Sequence, residues 1–147
     1  MISVRRISFD EFLNSAYDEI VSGYTLECAN LGLETKPDRG FYRRAVDSGL
    51  AMMLGVFVDD ALVGAAVVLV SEHPHYSKKL AVVESLYVLP DARIRGAGSA
   101  ILEAIKDEAR KAGSEGVLVS APTGSRLEKL GRLCEWRQTN SVFFLEL

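Results

Sequence analysis

Val82–Ala112, VVESLYVLPDARIRGAGSAILEAIKDEARKA, is the stretch that decides how this chain folds. Its opening, rich in β-branched and aromatic residues, predicts a strand through Val88. Pro90-Asp91 breaks that strand, and Arg93-Ile94-Arg95-Gly96-Ala97-Gly98 forms a loop. A helix follows, with Ala97, Ile101, Ala104, Ile105 and Ala112 on one stripe, Arg110 and Lys111 at its C-terminal end, and Gly113 as its stop. A glycine loop that opens a helix is an anion site, because the first-turn amides lack intrahelical partners and the helix dipole adds partial positive charge. Gly96 and Gly98 let a ligand approach the backbone, and Arg93 and Arg95 offer cationic forks for phosphate oxygens. The segment Arg93, Ile94, Arg95, Gly96, Ala97, Gly98 and Ser99 is therefore expected to hold a pyrophosphate.

Spacing narrows the kind of site. A P-loop needs a Lys-Ser or Lys-Thr pair after its second glycine, and none follows here. A dinucleotide fingerprint needs G-x-G-x-x-G, and Ser99, Ala100 and Ile101 follow Gly98 with no third glycine. What remains is R-x-x-G-x-G, filled by Arg93, Gly96 and Gly98 and preceded by Leu86-Tyr87-Val88-x-Pro90. That combination resembles motif A of the GCN5-related N-acetyltransferase (GNAT) family.

Composition excludes several other classes. The 147 residues are 48% hydrophobic and 25% charged, enough for one sizeable core, expected as a single domain over 1–147. A net charge of −3 argues against nucleic acid as a partner. No segment is apolar for long enough to span a bilayer, and the N-terminus lacks the apolar run of a signal peptide, so a cytoplasmic protein with no membrane partner is expected. Cys28 and Cys134 fit no metal or redox spacing. His73 and His75 bracket a proline without Cys or carboxylate support, so no metal is expected.

Outward from the central stretch, Ile2–Ile7 alternates as an edge strand. Ser8 or Asp10 caps a helix carrying Phe9, Phe12, Leu13, Ala16, Tyr17 and Ile20, with Gly23 as its stop. Residues 24–37 have no readable pattern. Pro37-Asp38 starts a second helix with Phe41, Tyr42, Ala45 and Val46, ending at Gly49. Met52–Val58 and Leu62–Val70 form a hairpin around Asp59-Asp60, and Leu80–Leu89 makes the third strand of a meander. Val117–Ala121 is a short strand, parallel to the third. A helix follows with Leu127, Leu130, Leu133 and Cys134 inward, and Val142–Leu145 predicts a closing strand. The order is β–α–α–β–β–β–α–β–α–β.

This is the element order of the GNAT fold: α/β, with a mixed central sheet made of an antiparallel meander and a parallel β–α–β acyl-CoA-binding unit, and flanking helices. The family usually closes with two strands, whereas 12 residues follow Glu135 here. A single closing strand would leave an open edge for a second subunit, hence a possible homodimer.

The resemblance implies acetyl transfer from acetyl-CoA, as co-substrate, to an amine of a small molecule, protein or peptide. In the family, backbone groups near the end of the motif A strand pair with the pantetheine arm, and a bulge exposes an amide to the thioester carbonyl. Leu86, Tyr87 and Val88 match that place, and the Val88 amide is the oxyanion candidate. Glu84 is the general-base candidate: alternation puts it on a face with Val82, Leu86 and Val88, where a carboxylate would be partly desolvated. Many members carry a tyrosine acid in the last helix; here Gly131 falls at that position, leaving Tyr76, Cys134 or water. That gap keeps open a second reading, an acyl-CoA-binding module with weak or no catalysis. The acceptor side carries Tyr24, Glu27, Glu34, Asp38, Tyr42 and Arg43, an unpatterned mix.

Overall fold

The computed structural model describes residues 1–29 and 31–147. Five strands form one mixed sheet in chain order: β1 Ile2–Arg6, β2 Ala51–Val58, β3 Ala61–His73, β4 Lys78–Val88 and β5 Val117–Val119. The first four are antiparallel, and β5 lies parallel to β4. Asp59 and Asp60 both take positive φ, the geometry of the two-residue turn that best matches strand twist, and so tighten the β2–β3 hairpin.

Helices cover both faces. On one side lie α1 (Phe9–Ser15), α2 (Tyr17–Cys28) and α3 (Arg39–Asp47), packed through Phe9, Phe12, Tyr17, Ile20 and Ala45. On the other lies α5 (Ala97–Lys111), which follows the single turn α4 (Pro90–Arg93). Ala97, Ile101, Ile105 and Ala109 recur every fourth residue and are buried against Leu54, Val56, Val68 and Val83. Each fully buried isoleucine contributes about 1.5–3 kcal/mol. The last helix, α6 (Arg126–Leu133), is capped by Ser125, whose hydroxyl accepts from Glu128 N–H at 3.1 Å, and no residue of it is buried.

Three sequence expectations are corrected. Ser8 does cap a helix, but the helix breaks at Ala16 (φ −130°, ψ 22°). Gly23 then does not end it: α2 runs on to Cys28 because the glycine is there for packing, a Cβ at this position falling 2.5 Å from the Tyr87 hydroxyl. Val142–Leu145 is not a strand. A β-rich segment needs a partner ladder, and beyond α6 the chain finds none, leaving Val142, Phe143 and Leu145 more than four-fifths exposed.

The β3–β4 pair carries the candidate site. Its register shifts by one residue: Val68 pairs with Val83, but Val67 pairs with Ser85, so Glu84 is the extra residue of a β-bulge. The slip reverses which residues face which layer. Ala81 and Val83 pack toward α5, and beyond the bulge Leu86 and Val88 do so too, while Tyr87 joins the α1–α3 side. Gly64 allows β3 to approach β4 here, since a Cβ would meet the Tyr87 carbonyl oxygen at 2.7 Å and Val88 Cα at 2.9 Å. Gly64→Ala is expected to destabilise the fold by about 1–3 kcal/mol. Urea unfolding should show a lowered midpoint at unchanged slope; an unmoved midpoint would mean the strands part here without cost.

Candidate functional site

The glycine loop has the predicted form. Gly96 takes φ +93°, a left-handed conformation suited to glycine, and N-caps α5. The first amide of α5 to find a carbonyl is that of Ala100, which donates to Gly96 at 3.1 Å. Among the described residues the amides of Ala97, Gly98 and Ser99 have no backbone acceptor and remain at the positive end of a 15-residue helix. Nothing lies within 4 Å of a Cβ built on Gly98, so that side of the turn is open. Ser99 is exposed, and Ile94 is 87% exposed.

The two arginines are used differently from each other. Arg95 pairs with Asp59 at 2.9 Å and stays half exposed at the edge of the loop. Asp59 also accepts from the Met1 ammonium, and these two partners hold its carboxyl down to about 2. Arg93 turns inward. Its Nε donates to the Val88 carbonyl at 2.7 Å, its guanidinium pairs with Glu27 at 2.9 Å, and it stacks over the Tyr87 ring at 5.0 Å. The sequence had placed both on a phosphate; the structure engages Arg93 with the end of β4 and with α2.

Between loop and bulge, β4 has a free edge. Pairing with β5 covers only Ala81, Val82 and Val83. On the other edge, Leu89 donates to Val63 at 2.8 Å, so strand alternation turns the Val88 N–H away from β3 and toward the side that β5 no longer covers. The two strands thus separate at Glu84, leaving a slot lined by backbone groups of Leu86 and Val88. Their side chains, and that of Tyr87, are core: Val88 and Tyr87 are buried and Leu86 is half-buried.

Glu84 differs from its expected setting. The bulge removes it from the face of Leu86 and Val88, and its side chain is exposed rather than sunk among apolar groups. Its one hydrogen bond among the described residues is from Tyr42 of α3, whose hydroxyl donates to Glu84 Oε1 at 2.8 Å. Burial, then this carboxylate, pushes the Tyr42 phenol far above its ordinary value. Tyr24 of α2 meets the Tyr87 ring edge-on at 6.5 Å, and burial, Cys28 and Glu84 raise its phenol too. Glu27 accepts from the Tyr87 hydroxyl at 2.7 Å. Burial raises the Glu27 carboxyl, but the Tyr87 and Arg93 donors outweigh this and hold it below the usual carboxylate range. Burial and Glu27 in turn push Tyr87 up to about 12.

Sequence reading named Tyr24, Glu27 and Tyr42 without seeing what joins them. The signal for Glu27 was present: Tyr17, Ile20, Tyr24 and Glu27 share one helical face once α2 continues past Gly23. Of the rest of that mix, Glu34 is exposed and Asp38 and Arg43 are structural. Asp38 caps α3 by accepting from Phe41 N–H at 2.8 Å, and Arg43 pairs with Asp10 at 2.6 Å. Of the acid candidates, Tyr76 lies in the β3–β4 turn, at the opposite end of β4 from the glycine loop, and Cys134 is exposed, not inward as expected. Gly131 is covered by Trp136, whose Cε3 would stand 3.0 Å from a Cβ there. Among the described residues no helix is long and apolar enough to cross a membrane.

These features match a known family. The model of the acetyltransferase (GNAT) family matches residues 13–126, and the chain belongs to that family. No curated protein matches by sequence. Solved structures share the fold at low identity. A ribosomal-protein-alanine N-acetyltransferase from Brucella melitensis biovar Abortus 2308 is 18% identical, with 100% of this chain and 99% of that one covered and a TM-score of 0.76. An aminoglycoside acetyltransferase from an uncultured soil metagenomic sample, in complex with sisomicin, is 15% identical, with coverages of 99% and 96% and a TM-score of 0.75. A predicted acetyltransferase from Clostridium acetobutylicum, solved with acetyl-CoA, is 14% identical, with coverages of 99% and 96% and a TM-score of 0.71.

The Asp59 cluster gives a pH signature. Its carboxyl is depressed in the folded state, so the stabilisation is present above the unfolded value of ~3.9 and is lost as pH falls toward about 2. Melting temperatures of wild type and Asp59→Asn should therefore differ near neutrality and draw together between about pH 4 and pH 2. A constant difference across that range would show that the ion pairs carry no stability.

Proposed function

We propose that this chain transfers the acetyl group of acetyl-CoA to a primary amine. The observation that carries the reading is the coincidence at one end of β4 of three things: free amides at the head of α5, an open strand edge, and an exposed carboxylate on a bulge. The amides of Ala97, Gly98 and Ser99 would take the pyrophosphate, with Arg95 moving from Asp59 to join them. The pantetheine arm would lie along the Leu86–Val88 edge, held by backbone pairing as a strand would be. The thioester carbonyl would then meet the Val88 N–H, a donor fixed before charge develops on the oxyanion.

Glu84 would take the proton that an ammonium-type acceptor must lose, since amines with a pKa near ~10 are almost wholly protonated at neutral pH. Attack forms the N–C bond, collapse breaks the C–S bond so that CoA leaves as thiolate, and the second nitrogen proton passes to that thiolate or to water. With Gly131 under Trp136, α6 offers no tyrosine to protonate that thiolate; thiols of pKa near ~8.5 leave without a dedicated acid. The same feature supports the alternative, an acyl-CoA-binding module that does not turn over. Acceptors worth testing are those in the names of the structural neighbours, an aminoglycoside and a ribosomal-protein alanine, together with a polyamine.

CoA should stabilise the fold by about 2.7 kcal/mol at ~100 times its dissociation constant, roughly a 5–10 °C rise in melting temperature. Gly98→Val should leave the free protein as stable as wild type, since nothing crowds that position, yet abolish the rise. Equal shifts in both proteins would show that the loop does not hold phosphate.

Thiol release from acetyl-CoA, measured with sisomicin, spermidine and an alanine-initiated peptide, separates enzyme from binding module. With an amine that turns over, Glu84→Gln should lower the rate by about 10²–10⁴ and leave CoA binding unchanged. Near-normal turnover by that variant would place the base elsewhere.

A further inference from the structure

We propose that Tyr42 is the positioning residue for Glu84, so that α3 fixes the geometry of proton removal from the acceptor. This rests on the reading of Glu84 as the base. An exposed glutamate on a bulge is free to sample several staggered rotamers, and a base works only within hydrogen-bond reach of the proton it takes. Something must hold it, and Tyr42 is the one side chain that does: no ion pair among the described residues includes Glu84.

Tyr42 is itself held. Its ring stacks on Phe9 with centroids 6.1 Å apart and planes 9° from parallel. Phe9 is 3% exposed and meets Phe12 and Tyr17 edge-on at 6.1 and 6.3 Å. The helix that carries Tyr42 is capped by Asp38 and tied to α1 through Arg43 and Asp10. A chain of packed aromatic rings thus runs from the α1–α3 layer to one oxygen of the carboxylate.

The division of labour between the two oxygens follows. Oε1 accepts from the phenol, and Oε2 has no protein donor among the described residues, which leaves it for the amine. One amine proton passes to Oε2, which frees the nitrogen lone pair to form the N–C bond; the C–S pair leaves with CoA, and the second nitrogen proton goes to that thiolate or to water. Tyr42 keeps its own proton throughout. Burial and the adjacent negative charge both favour the neutral phenol, so it stays a donor and does not compete as a base.

A double-mutant cycle on the full chain tests this, with thiol release from acetyl-CoA and the same three amines. Tyr42→Phe keeps the ring stack and removes only the hydroxyl. It should lower kcat by about tenfold to a hundredfold, the worth of one hydrogen bond to a charged group, with the KM for acetyl-CoA unchanged. In a Glu84→Gln background the same change should cost little more, because Tyr42 acts through the carboxylate.

A second measurement needs no acceptor. Alkaline ultraviolet titration in a Tyr24→Phe background, which removes the other phenol that Glu84 raises, should show one phenol ionising at lower pH when Glu84→Gln is added, and no such change when Tyr42→Phe is also present. Wild-type kcat in Tyr42→Phe, an equal loss in both backgrounds, or no earlier-titrating phenol would each overturn the role of Tyr42 while leaving Glu84 in place. A fully active Glu84→Gln, or no turnover of any amine by wild type, would instead remove the base itself, and Tyr42's role with it.

Discussion

One slipped residue in the β3–β4 ladder governs the functional end of this molecule. An unbroken β4 would carry Glu84 on the same face as Leu86 and Val88, against α5. With Glu84 inserted as an extra residue, the two apolar side chains still reach the α5 layer, and the carboxylate is released toward α2 and α3. The bulge also strengthens the local twist, and at that same residue β4 stops pairing with β5. A strand edge that would otherwise be bonded is thereby freed, and it leads directly to the turn where α5 begins.

Much of this was legible in the chain. Strand, turn, glycine loop and helix are local features, each set by residues a few positions apart, and Val82–Ala112 folds as read apart from the slip. The resemblance implied a bulge at Leu86–Val88, but the slip falls earlier, at Glu84, because alternation assumes an uninterrupted ladder and nothing in Glu84-Ser85 marks the extra residue. Gly23 misled for a related reason. Mid-helix glycine reads as a stop when only local propensity is weighed, yet here it makes room for Tyr87, more than sixty positions later. Val142–Leu145 has the side chains of a strand but no edge to join, and propensity without a partner does not make one.

The acceptor side shows what pattern reading loses when contacts are distant. Tyr42 and Glu84 are 42 positions apart, and Glu27 and Arg93 are 66 apart. Neither pair is marked by spacing, yet they fasten α3 to β4 at Glu84 and α2 to the α4 turn that follows the strand. Arg93, named first for its charge, neutralises Glu27 and closes the end of β4 by bonding the Val88 carbonyl. Its position in the motif thus serves to build the slot.

A turn that presents main-chain amides makes few demands on side-chain identity. At the head of α5, Ile94 and Ser99 project into solvent, and the donors of Ala97, Gly98 and Ser99 are the same whichever residues bear them. Only Gly96, held at positive φ, and the small buried Ala97 are tightly specified. Lineages can therefore replace most of the surrounding letters and still inherit the same cradle. Descent in such a fold is recorded in the path of the backbone long after the alphabet has drifted.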